Sequence, residues 1–113
     1  MKKKGLFFLC ILILFVLIVG ASFAQGKNPP FNVAFSNVWE GNTWGVQSKA
    51  EFYAEVDRQK AAGLVGEVYY ANADFSAEKQ VSDLEDLLNK TVDILILQPV
   101  NPPAVSSVIQ KFY

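Results

Sequence analysis

Two tryptophans, two asparagines and a glutamate crowd into ten residues, FSNVWEGNTW at positions 35–44. Indole faces are flat, apolar and electron-rich, and they stack on the C–H faces of a sugar ring or on a cation. The amides of Asn37 and Asn42 both donate and accept, matching the proton and lone pair of a hydroxyl. Two further polar stretches carry groups of the same kind: NADFS, residues 72–76, with Asp74, and QPVNPP, residues 98–103, with Gln98. A carboxylate accepts two hydroxyl protons. Trp39 and Trp44 with Asn37, Asn42, Asp74 and Gln98 describe the lining of a site for a small polyol.

Each of these residues also has a plainer reading. Trp44 would cover the end of a sheet and Trp39 would anchor a surface loop. Asn37 and Asn42 suit a turn, and Asp74 suits a helix cap near Ser76. Gln98 ends an apolar run and precedes a proline, where an amide has no evident structural task.

Catalysis finds no support. The chain has no histidine, which removes the commonest general base and metal ligand. Its single cysteine, Cys10, lies in an N-terminal apolar run, so the remainder has no thiol nucleophile, disulfide or thiolate metal site. Gly41 and Gly45 fit neither a dinucleotide fingerprint nor a phosphate loop. No cofactor, metal or catalytic residue is expected.

The elements that must position the polar stretches follow a regular alternation. Phe31–Ser36 reads as a buried strand, and residues 43–62 read as a helix closed by Gly63. Gly66–Ala71 reads as a second strand. Ser76 caps a second helix whose apolar residues Ala77, Val81, Leu84 and Leu88 step by helical spacings. Thr91–Leu97 reads as a third strand, apolar enough to be covered on both faces. Asn101 and Pro102 open a third helix with Val105, Val108, Ile109 and Phe112 on one face. The order βαβαβα implies a three-layer α/β fold with a parallel sheet. Such sheets bind ligands at the carboxyl ends of their strands, where all three polar stretches fall.

Residues 1–24 read as a signal peptide. Lys2, Lys3 and Lys4 precede the apolar run Leu6–Val19, and Ser22 and Ala24 suit a cleavage site after Ala24. An uncleaved anchor is the rival reading, although the run is shorter than the span of about 18 apolar residues that a membrane needs. Residues 25–30 are a polar lead-in and residues 31–113 the folded part. Without the three N-terminal lysines, seven basic residues face 11 acidic ones. An exported domain of that charge is a poor partner for nucleic acid, and its only expected membrane contact is the signal segment.

The run ANADFSAEKQVSDLEDLLNKTVDILILQPVNPPAVSSVIQK, residues 71–111, closely resembles the first lobe of type 1 periplasmic binding proteins, the ribose- and galactose-binding-like receptors of sugar ABC importers. VAFSNVWEGNTWGVQSKAEF, residues 33–52, is similar to that family's first strand, aromatic-bearing ligand loop and first helix. The resemblance covers about residues 32–112 and implies the first part of the N-terminal lobe of a two-lobed fold. It implies that the first loop supplies stacking and amide contacts, with Trp44 in the aromatic region and Trp39, Asn37 and Asn42 as neighbours. Gln98 falls where the family often places a sugar-binding amide, and Asp74 follows more loosely. The ribose-type loop has consecutive phenylalanines where tryptophan and threonine stand here, so the sugar stays open. The remaining strands, the hinge and the second lobe are missing from this stretch, so little binding by this chain alone is expected. The implied partners are a monosaccharide or related polyol and ABC permease subunits. The alternative is an exported sensing module of the same fold, feeding a chemoreceptor or sensor kinase.

Overall fold

The computed structural model describes residues 26–113, and the readings of a signal peptide and of Cys10 lie outside them. Within that span the chain runs β1 (Phe31–Asn37), α1 (Thr43–Ala61), β2 (Val65–Asn72), α2 (Ala77–Leu88), β3 (Ile94–Leu97) and α3 (Pro102–Ile109). A short 3-10 turn over Gln110–Phe112 extends α3. Both β2 and β3 pair with β1 in parallel, giving the sheet order β2-β1-β3. The chain therefore crosses β1 between its second and third strands, and strand order reverses beside β1.

Alternation along β1 builds the three layers. Val33 and Phe35 point to one face and pack with Phe52 and Val56 of α1. Ala34 points to the other, where Leu84 and Leu87 of α2 meet Val105 and Val108 of α3. Fully burying side chains of this kind contributes about 1.5–3 kcal/mol each. Asn42 and Asn101 cap α1 and α3, and Ser76 caps α2, each accepting from a main-chain N–H in the first turn. Gly63 follows the end of α1 at φ +73°, a left-handed conformation that suits glycine.

Three expectations change. The third strand covers only Ile94–Leu97, because the residues before it are drawn into a clasp. Asn32 donates to Thr91 O at 2.8 Å and accepts from Asp93 N at 2.9 Å, while Asp93 Oδ2 accepts from Asn32 N and pairs with Lys27. The Lys27 ammonium, with the Asn32 N–H, holds the Asp93 carboxyl below the usual aspartate range. That strand is also covered on one face only: Ile94 and Ile96, on the α1 side, are 46% and 44% exposed. In α1, where Val46, Ala50 and Tyr53, and Phe52 and Val56, stand at helical spacings, the buried stripe is Gly45, Phe52 and Val56, whereas Val46 and Tyr53 turn outward.

The third change concerns α2. Its buried stripe is Gln80, Leu84 and Leu87, with Val81 only half-buried. Gln80 is fully buried and fully engaged. Its Nε2 donates to Ser36 Oγ at 3.1 Å and to Gln98 O at 2.9 Å. Its Oε1 accepts from Val100 N at 2.7 Å. One amide thus joins α2 to the end of β1 and to the turn after β3. Replacing Gln80 by methionine keeps the length and strips Val100 N–H of its acceptor. The expected loss is about 2 kcal/mol, seen as a lower denaturant midpoint at an unchanged slope. An unchanged midpoint would show that the amide is dispensable.

Candidate functional site

The loop after β1 is built between two asparagines. Asn37 is fully buried. Its Nδ2 donates to the Tyr70 hydroxyl at 2.9 Å and reaches Gly45 O at 3.5 Å. Asn42 caps α1, its Oδ1 accepting from Gly45 N at 2.7 Å. Gly45 is required there by close approach, since a Cβ on it would lie 2.0 Å from Trp39 O. The helix start is thereby seated against the loop, and Trp44 stands 59% exposed in its first turn.

Main-chain bonds tie the second loop to the first. Ala73 N donates to Asn37 O at 2.8 Å and Phe75 N to Val38 O at 3.0 Å. Between these bonds Asp74 and Phe75 hold φ values of +53° and +61°. Left-handed non-glycine residues cost about 1–3 kcal/mol each and persist where neighbouring bonds over-determine them. The consequence is an exposed ring: Phe75 is 59% accessible and sits 4.7 Å, centroid to centroid, from half-buried Trp39. The cap of α2 belongs to Ser76, whose Oγ accepts from Lys79 N at 3.1 Å, and this leaves the exposed Asp74 outside that role.

The third loop leaves β3 beside the same end of β1. Gln98 N donates to Ser36 O at 2.9 Å, and Gln98 O is held by Gln80. Its side-chain Oε1 is buried without a hydrogen-bond donor, and so is Asn37 Oδ1. Buried acceptors of this kind are uncommon and each carries a desolvation cost. The structure therefore gathers all six sequence-derived candidates at one end of the sheet. Trp44, Asn42 and Asp74 are exposed, Trp39 and Gln98 half-buried, and Asn37 enclosed. A cavity of about 210 Å³ lies away from this mouth, along β3 and the end of α3, among Val92, Leu95, Ile109 and Phe112.

Residues that the sequence reading passed over complete the arrangement. Phe75 stands in the NADFS stretch, where a large apolar side chain inside a polar turn was the available signal. Glu40, between the two tryptophans, accepts from the Tyr70 hydroxyl at 2.6 Å and pairs with Lys49 at 3.1 Å. The Tyr70 hydrogen bond, helped by Lys49, holds the Glu40 carboxyl below its ordinary value. Burial, helped by the same carboxylate, pushes the Tyr70 hydroxyl up to about 12. Among the described residues no cluster of three or more His, Cys, Asp or Glu could hold a metal ion.

Comparison with known proteins matches residues 33–112 to the periplasmic binding protein domain. The chain belongs to that family. It is similar to the D-xylose-binding periplasmic protein of Escherichia coli (strain K12), 32% identical over 53 residues that make up 47% of this chain and 16% of that protein. It also superposes on the crystal structure of an ABC transporter solute binding protein from Mycobacterium smegmatis with bound glycerol. That match has a TM-score of 0.63 at 26% identity and covers 73% of this chain and 27% of the other. The chain thus matches about a quarter or less of the length of either relative. The parallel three-stranded sheet with its helices is a part of the periplasmic binding protein fold.

In this periplasmic binding protein domain the raised Tyr70 value has a defined consequence for stability. Below pH 10, the ordinary tyrosine value, folded and unfolded chains both keep the hydroxyl proton, and the contribution is whole. Between pH 10 and about 12 the unfolded chain ionises first, and stability falls with rising pH. A tyrosinate absorbance step at about 12 is expected, and Tyr70→Phe should delete it. A titration in which Tyr70→Phe removes a step near 10 instead would break the assignment.

Proposed function

We propose that this chain is the N-terminal part of an exported substrate-binding component of an ABC importer, and that its three-loop mouth takes a monosaccharide or related polyol. The observation that carries the reading is the pairing of exposed aromatic faces with buried amide oxygens that lack donors. Trp44 and the Trp39–Phe75 pair offer stacking surfaces. Gln98 Oε1 and Asn37 Oδ1, at the ends of adjacent strands, await hydrogen-bond donors. Hydroxyls are such donors, and the apolar faces of a sugar ring complete the match. Asp74 accepts further hydroxyls, and Asn42 keeps its Nδ2 for a ligand oxygen while its Oδ1 caps the helix.

The relatives support the same class, since one is a D-xylose-binding protein and the other holds glycerol. Binding of this kind breaks no bond. Delivery to permease subunits would follow closure of the full two-lobed receptor over its ligand. Residues 1–24, with their lysines, apolar run and small-residue end, would direct export to the periplasm and then be removed.

The test is calorimetric titration of the protein, as its gene encodes it, with a panel of pentoses, hexoses and polyols. Saturable heat with at least one sugar is expected, and a flat response across the panel would reject the reading. Trp44→Ala should weaken the binding by about 1–3 kcal/mol with thermal stability nearly unchanged. Equal loss of both would make Trp44 a packing residue. Gln98→Met should separate the two quantities more sharply. It removes a buried acceptor that has no donor, so stability should hold or rise while affinity falls.

A further inference from the structure

Between the two indoles of the first loop sits a carboxylate whose bonds run back into the fold. Glu40 Oε1 accepts from the Tyr70 hydroxyl at 2.6 Å. Lys49 Nζ donates to both carboxylate oxygens, at 3.2 and 3.1 Å. Tyr70 belongs to β2 and Lys49 to the second turn of α1, so one side chain lashes the loop to sheet and helix together. The same hydroxyl accepts from Asn37 Nδ2 at 2.9 Å.

The Tyr70 ring is held as firmly as its oxygen. Phe35 meets it edge-on at 5.5 Å, Tyr53 lies at 5.9 Å, and Lys49 Nζ stands 4.7 Å from its centroid. A hydroxyl carried on a ring enclosed on several sides is a fixed point. Trp39 directly precedes Glu40 in the chain, and Trp44 follows by four residues. Their main chain is held on either side of Glu40 by the Phe75 N–H bond to Val38 O and by the Asn42 cap.

We propose that Tyr70 and Glu40 are the positioning pair of the binding rim, fixing the pose of Trp39 and Trp44 without touching ligand. The expected effect on affinity rests on the sugar-binding reading, whereas the effect on the indoles does not. Tyr70→Phe keeps the ring contacts and removes the hydroxyl. Glu40→Leu removes the acceptor. Glu40→Gln keeps an oxygen that accepts from Tyr70.

Fluorine NMR of the fluorotryptophan-labelled protein, assigned with Trp39→Phe and Trp44→Phe, reads the pose directly. Tyr70→Phe and Glu40→Leu should both shift and broaden the two resonances, and Glu40→Gln should restore the parent spectrum. Tyr70→Phe alone should also lower the melting temperature, because buried Asn37 Nδ2 loses its acceptor. Sugar affinity should fall about tenfold in Tyr70→Phe, the equivalent of one weakened aromatic contact, and recover in Glu40→Gln. Resonances that stay in place in both Tyr70→Phe and Glu40→Leu overturn the proposal. A parent protein that binds no sugar rejects the sugar-binding reading, and the resonances still decide the positioning role. Should Tyr70→Phe fail to fold, the two Glu40 variants on the loop carry the test.

Discussion

Parallel strands end in main-chain groups that the ladder no longer serves, and a binding mouth at those ends must satisfy them without filling itself. The Gln80 amide meets that constraint from below. It serves the β1 end through Ser36 and the turn after β3 through Gln98 O and Val100 N. An apolar residue at this point would leave those groups unpaired in a dry interior, and a shorter amide would lack the reach from α2. The third loop owes its course to this one side chain. So does the setting of Gln98, whose main chain is held on both sides while its side-chain oxygen stays unpaired.

The first two loops are joined on a different principle. Main-chain bonds from Ala73 and Phe75 to Asn37 and Val38 continue the β1–β2 pairing past the last strand residues. The chain must still turn into α2 within three residues of the last bond, and two consecutive left-handed residues accomplish this. Strain and exposure are linked here. The conformation that turns the chain also presents Phe75 to Trp39, giving an aromatic pair assembled from two loops. Glu40 and Tyr70 add the remaining hold on the outer loop. Their bond is supported by burial of the hydroxyl and by the neighbouring ammonium of Lys49.

How much of this was legible in the sequence depends on whether the signal was local. Ser76 and Asn101 are readable as caps because the helix starts at the next residue, whereas Asn42, read as a ligand contact or turn residue, proves to cap α1. Alternation in β1 and the βαβαβα order are likewise local patterns, and they gave the layers and the end of the sheet where the polar loops meet. The role of Gln80 was hidden because polarity argued for the outer face of α2. Only the register of β1 against β3 brings an unpaired N–H and a hydroxyl within its reach. Glu40 and Tyr70 are 30 residues apart, and their meeting depends on how far β2 slides along β1. The length of β3 was overestimated for the same reason. Thr91 and Asp93 stand in the TVDILIL run, and the Asn32 clasp claims both, Thr91 across 59 residues.

If the proposed function holds, openness on two sides sets the limit of what this segment contributes to binding. Ile94 and Ile96 leave an apolar trough of about 190 Å³ with Phe52 and Val56, and the mouth leaves Trp44 and Phe75 more than half exposed. A hydroxyl bonded at an open rim exchanges a bond to water for a bond to protein, a net gain of about 0.5–1.5 kcal/mol. A stacked ring adds a comparable amount. Two such bonds and one stack come to about 1.5–4.5 kcal/mol, at or below the translational and rotational freedom a ligand surrenders, about 4–15 kcal/mol. Recognition and retention are therefore separable in this architecture. On the proposed sugar-binding reading, the rim would select by shape and by donor pattern, while tight capture would need a second surface to exclude water from the same bonds. On that reading, the paired loops, the capped helix starts and the Glu40–Tyr70 hold would place the ordering cost of the rim on folding and not on binding.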